Sequence, residues 1–124
     1  MVTKRFQDLQ VYQLSENLSD EIWKIINNWK LLPQDTIGKQ IIRSTDSIGA
    51  NIAEGVGRGS YQDNRRFIRM ARGSLYDTQH WLRRAYSRKL LTTEQVETLK
   101  PIIEELAPKL NSYLNSIGNR PENK

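Results

Sequence analysis

The sequence has no cysteine and a single histidine. Disulfide scaffolds, thiolate nucleophiles and cysteine metal sites are therefore excluded. His80 has no companion with which to hold a borderline metal, and it is read as a surface or interface residue. A chain without cysteine fits a reducing compartment. No apolar run approaches the roughly 18 residues that a membrane span requires. The opening MVTKRFQDLQ lacks the hydrophobic region of a signal peptide. These absences predict a soluble, cytoplasmic protein without a membrane partner. The alternation that marks strands is missing too. What remains is 124 residues, 37% of them apolar, enough for one domain if the apolar positions are well patterned.

They are patterned at helical spacing. Val11, Leu14, Leu18, Ile22, Ile25 and Trp29 step by three or four, then Pro33 falls in a break. Ile37, Ile41, Thr45, Ile48 and Ile52 form a second stripe. Ile68, Ala71, Leu75, Thr78, Leu82 and Ala85 form a third, and Val96, Leu99, Ile103, Leu106, Leu110, Tyr113 and Ile117 a fourth. Ser60 before Asp63 and Thr92 before Gln95 have the spacing of helix-starting caps. Gly118 is placed to end the last helix. Pro101 and Pro108 lack amide hydrogens within the fourth pattern, so they predict a kinked or split helix with its proline face to solvent. The fold expected is all-α, an antiparallel up-down four-helix bundle over residues 1–117, with a flexible tail at 118–124.

Between the second and third stripes lies DSIGANIAEGVGRGSYQDN, Asp46 to Asn64. A phosphate-binding loop needs its glycines between a strand and a helix. Here a helical stripe precedes Gly55, and no Gly-Lys-Ser or Gly-Lys-Thr follows. The small residues instead predict a close helix contact, with Gly55 and Gly57 free to adopt positive φ where the helix ends. Gly49, within the helix, implies a packing reason. Asn51 and Glu54 share a helical face, and their neighbours Ile52 and Ala53 are expected to be buried. A partly buried glutamate needs a cation, so an internal polar lock between helices two and three is expected, with Arg69 and Arg72 as partners. A single carboxylate with no second acid or base nearby makes a poor catalytic set.

The net charge of +5 is concentrated. Arg58, Arg65, Arg66, Arg69, Arg72, Arg83, Arg84, Arg88 and Lys89 stand against only Asp63 and Asp77, so this segment carries +7 and the rest of the chain −2. Such asymmetry suits a polyanion or an acidic protein surface. A merely solvated helix face is the plain alternative. Of the three tryptophans, Trp23 and Trp29 are read as packing residues. Trp81, beside Arg83 and Arg84, is the one best placed to stack on a base, although packing is preferred for it as well.

Three stretches carry a family resemblance. They are Phe6 to Gln13 (FQDLQVYQ), Gln40 to Ser44 (QIIRS) followed by Ser47 to Gly55 (SIGANIAEG), and Phe67 to Leu75 (FIRMARGSL). Together they resemble the four-helix bundle protein family, also called 23S rRNA intervening sequence proteins, over roughly Phe6 to Ile117. The sequence departs from the family's pattern at Asn64, where an aromatic is usual, and in its paired prolines. The resemblance implies an antiparallel bundle that assembles into a ring, typically a homopentamer, encoded within inserts of ribosomal RNA genes. It also implies kinship with accessory proteins of diversity-generating retroelements, which bind a reverse transcriptase and its RNA through a basic surface.

The expectation is thus a non-enzymatic, cofactor-free oligomer that binds structured RNA, or an RNA–protein complex, through the nine basic residues. The alternative is a self-assembling protein-interaction scaffold that does not bind nucleic acid. An enzyme ranks third, because no nucleophile, acid–base pair or metal cluster is legible.

Overall fold

The computed structural model describes residues 5–118; positions 119–124 of the expected tail lie outside the described residues. Four helices account for most of the chain, and no strand occurs among the described residues. A single 3₁₀ turn, Phe6–Asp8, leads into α1, Gln10–Ile26. The main run of α2 is Lys39–Val56, α3 is Tyr61–Ser87, and α4 is Thr93–Ser116. Each helix packs on its neighbour in the chain, and α1 closes the bundle against α4.

The apolar stripes face inward. Leu18, Ile22, Ile41, Ile48, Ile52, Ile68, Leu75, Leu106 and Leu110 are all at most 2% exposed. Each such side chain contributes roughly 1.5–3 kcal/mol by leaving water. Between α2 and α3 the core is not wholly apolar, since Ser44, Thr45 and Thr78 are buried there. Their hydroxyls bond to one another and to the Ile41 and Ser74 carbonyls. The two threonines occupy positions of the second and third stripes.

The ends of the helices follow from local chemistry. Ser60 Oγ accepts the Asp63 amide at 3.1 Å. Thr92 and Gln95 complete a reciprocal capping box, each side chain accepting the other's backbone N–H. Gly118 follows α4 with φ +78°. At the end of α3, Lys89 takes the left-handed conformation at φ 61°. The Lys89 amide donates to Tyr86 O and the Leu90 amide to Ala85 O, the paired bonds that close a helix in a Schellman motif.

Several expectations need correction. Pro33 does not lie in the break. It ends the helical turn Leu31–Pro33, where a missing amide costs nothing, and a π-helical stretch, Gln34–Gly38, carries the chain into α2. Trp29 lies beyond the end of α1, half-buried against the core. Helix α4 is not split; it runs unbroken through Pro101 and Pro108. Both rings are on the exposed side. The Glu97 and Glu104 carbonyls, which lose their usual partners, are therefore on the side that water reaches. Gly55 and Gly57 do not take positive φ. Gly57 has φ −83° and Gly55 is helical, while Gly59, at φ +86°, makes the turn. The use of Gly55 is close approach, since an added Cβ would lie 2.5 Å from Asn64 Oδ1 and 3.2 Å from Phe67 Cβ. Gly49 has a similar reason, with Ser15 Oγ only 3.0 Å from where its Cβ would be.

Candidate nucleic-acid interface

Helix α3 carries most of the chain's excess positive charge. Its inward stripe fixes which residues point outward, so the basic side chains distribute over the rest of its circumference. The structure divides the nine basic residues of the 58–89 segment into two groups.

Four are tied to the bundle. Arg58 reaches Glu54 at 3.4 Å and Asp63 at 3.7 Å, so it links the end of α2 to the start of α3. Arg66 meets the other oxygen of Asp63 at 3.5 Å. Both guanidiniums lie over the Phe67 ring, 5.3 and 4.5 Å from its centroid. Arg65 donates to Ile117 O at 2.7 Å and holds the end of α4. Arg72 donates to Asn111 Oδ1 at 3.1 Å, also on α4.

The other five are Arg69, Arg83, Arg84, Arg88 and Lys89. Among the described residues none of them makes an ion pair or a side-chain hydrogen bond; Arg69, Arg83, Arg88 and Lys89 are exposed and Arg84 is half-buried. Four stand at the C-terminal end of α3, where they also complement the negative end of the helix dipole.

The expected lock is not formed. Glu54 is exposed and pairs with Arg58, four residues on. The Asn51 amide donates to Ser47 O of its own helix at 2.8 Å. Arg69 and Arg72 take no part. The side-chain hydrogen bonds that do join α2 to α3 inside the bundle are those of the Ser44, Thr45 and Thr78 hydroxyls.

Of the three tryptophans, Trp23 alone differs from expectation. Trp23 is 58% exposed rather than packed. Trp81 packs, as preferred: it is half-buried against the core, its ring edge-on to His80 at 4.8 Å. The exposed rings near the basic residues are tyrosines, Tyr61, Tyr76 and Tyr86. Their signal in the sequence was that none of the three belongs to the third apolar stripe.

Two grooves mark the surface of the bundle. One, of about 400 Å³, runs between the C-terminal half of α3 and the N-terminal half of α4. Leu82, Val96, Leu99 and Ile103 line it, and Arg83, Lys100 and Glu104 stand at its edge. The other, also about 400 Å³, lies between α1 and α2, where Glu16, Asp20 and Asp46 border the small residues Gly49, Ala50 and Ala53. Among the described residues no group of three or more histidine, cysteine or acidic side chains could hold a metal. No helix among them is long and apolar enough to cross a membrane.

Fold and surface together define a four-helix bundle with a cationic third helix. The family profile described as 23S rRNA-intervening sequence protein matches residues 7–112, and the chain belongs to that family. A crystal structure from the S23 ribosomal protein family of Bacteroides thetaiotaomicron VPI-5482, a protein of unknown function, is similar. It shares 28% identity and a TM-score of 0.75, over 86% of this chain and 99% of that one. No curated protein matches the chain.

Proposed function

We propose that this chain is a non-enzymatic, oligomeric bundle that binds structured RNA through its basic surface, as the RNA-holding accessory of a larger assembly. A reverse transcriptase of a diversity-generating retroelement is the protein partner this reading favours. The observation that carries the RNA reading is the unpaired set Arg69, Arg83, Arg84, Arg88 and Lys89. Arg58 and Arg66 are neutralised by Glu54 and Asp63, and Arg65 and Arg72 each spend a donor on a neutral oxygen of the bundle, whereas these five keep every donor for phosphates. Oligomerisation would multiply them, so that weak contacts add across copies. The acidic groove between α1 and α2 supports self-assembly, because it is complementary in charge to α3 and lies on different helices. Contacts between unlike surfaces close into rings when the rotation permits.

One observation favours a second reading. The apolar groove beside Arg83 and Lys100 suits a protein helix or another copy of the chain, which would make the bundle a scaffold without nucleic acid.

The deciding experiment is an anisotropy titration against a labelled structured RNA at about 50 and about 200 mM salt. Six or more phosphate contacts predict a fall in affinity of about three decades. Changing Arg83, Arg84 and Arg88 to glutamine should flatten that dependence. No binding at the lower salt would discard the RNA reading in favour of the scaffold, and light scattering would then show whether the chain assembles alone.

A further inference from the structure

Three of the five tyrosines stand on α3 with more than half of each side chain exposed: Tyr61 55%, Tyr76 63% and Tyr86 56%. At about 100° per residue, they fall with Arg65, Arg69, Arg72 and Arg83 within an arc of about 100°. The order along the helix is Tyr, three Arg, Tyr, Arg, Tyr. The acids of α3, Asp63 and Asp77, lie outside this arc, and Asp63 is already held by Arg58 and Arg66. The acid bordering the arc from α4 is Glu104, at the groove beside Tyr86. Arg69 and Arg83 are unpaired, and Arg65 and Arg72 each spend one guanidinium nitrogen on α4 and keep other donors.

A face built only to attract phosphate has no use for large rings left in water. A duplex would not use them either, because its base faces are hidden within the stack. Unpaired bases would, since every base has a face that stacks on an aromatic ring whatever its sequence. The tyrosines span 25 residues of helix, about 37 Å at 1.5 Å per residue. That length matches about 11 stacked nucleotides at 3.4 Å each.

We propose that this face of α3 binds an unpaired stretch of RNA, with bases stacked on Tyr61, Tyr76 and Tyr86 and phosphates held by the arginines between them. The proposal rests on the RNA reading above and specifies the form of RNA bound: the loops and single-stranded arms of a folded RNA rather than its helices.

The test compares a labelled oligouridylate of about 12 nucleotides with an RNA duplex of equal length, by anisotropy at about 100 mM salt. The full chain is used unaltered, as a Tyr61→Leu/Tyr76→Leu/Tyr86→Leu variant, and as an Arg69→Gln/Arg83→Gln variant. The single strand should bind at least tenfold tighter than the duplex. The tyrosine variant should lose at least tenfold on the strand, with the salt slope and the duplex affinity unchanged. The arginine variant should weaken both RNAs and reduce the salt slope by about two. Equal affinity for both RNAs, with the tyrosine variant indifferent, overturns stacking and leaves the RNA reading intact. No binding to either RNA at about 50 mM salt overturns both. Should the leucine variant lose helicity, photo-crosslinking of 4-thiouridine RNA to the unaltered chain decides. Adducts on the three tyrosines support the proposal, and adducts confined to other residues overturn it.

Discussion

The hydroxyls of Ser44 on α2 and Thr78 on α3 lie 3.0 Å apart, hydrogen-bonded where the two helices press together. Thr45 Oγ1 is 3.4 Å from Thr78 Oγ1 and bonds more closely to Ile41 O, at 2.7 Å. A hydroxyl has one proton, so the contacts are shared among three donors and the Ile41 and Ser74 carbonyls. The Ser44–Thr78 link favours this register of α3 on α2, although each hydroxyl also reaches a carbonyl of its own helix and would stay satisfied without it. Thr78→Val keeps the shape and removes the link, and it should cost about 1 kcal/mol. Ser44→Ala should cost a similar amount, and the double variant less than the two together, as coupled sites do. Urea unfolding of the four proteins measures this, and strictly additive costs would show that the hydroxyls are independent.

Glu54 should matter little. It is exposed and its partner Arg58 is also bound by Asp63. Exposed pairs of this kind contribute roughly 0–1 kcal/mol and weaken with salt. Glu54→Gln should shift the melting temperature by at most about 4 °C, since about 1 kcal/mol corresponds to about 4 °C in a domain of this size. A large loss would restore a buried role for this carboxylate that its exposure argues against.

Two helical glycines should respond to alanine with opposite signs. At Gly55 a new Cβ would meet Asn64 Oδ1 at 2.5 Å and Asn64 O at 3.2 Å. The propensity gain of about 1 kcal/mol is then outweighed by overpacking, which costs typically 1–3 kcal/mol. At Gly73 nothing lies within 4 Å, so alanine should stabilise by about 0.5–1 kcal/mol. Melting temperatures of the two variants should fall on either side of the unaltered protein.

The helices were legible because their stripes are long and regular, and because Ser60, Thr92 and Gly118 mark their ends. Ile41, Ile48, Ile52, Ile68 and Leu75 are all where periodicity puts them. Glu54 misled because its neighbours on the sequence, Ile52 and Ala53, say nothing of which way its own side chain turns at a helix end. Thr45 and Thr78 were legible as stripe positions but not as a pair, since their meeting is set by how α3 docks on α2. The basic segment was evident from composition alone. Its division into tied and unpaired arginines was not, because Arg65 and Arg72 find partners 52 and 39 residues away.

Lys89 joins stability to the candidate interface. Its φ of 61° is one that lysine adopts at a cost and glycine adopts freely. Lys89→Gly should therefore stabilise the fold by roughly 0.5–1 kcal/mol, the gain from relaxed backbone exceeding the added freedom of the unfolded chain. The same change removes one unpaired cation and should lower the salt slope of RNA binding by about one. A variant that is more stable and binds RNA less well would separate the two roles of this position. Unchanged binding would remove Lys89 from the interface without touching the stability result.

Tyr12 ties folding to alkaline pH. Its ring stands edge-on to Phe6 at 4.9 Å and lies close beneath Gly49. Burial raises the Tyr12 hydroxyl above its ordinary pKa of 10.0, and the Glu16 carboxylate, by its charge and by hydrogen bonding, raises it further. The unfolded chain ionises this hydroxyl more readily than the native protein does. Its contribution is therefore complete below about pH 10 and is lost as pH rises through the raised native value. Tyr12→Phe keeps the ring, removes the titrating group and should flatten the alkaline side of the stability profile. Urea midpoints measured from about pH 8 to about pH 11 should fall more steeply for the unaltered chain than for the variant as the hydroxyl ionises. Parallel curves across that range would mean that Tyr12 ionises equally well in both states, and that neither burial nor Glu16 holds its proton.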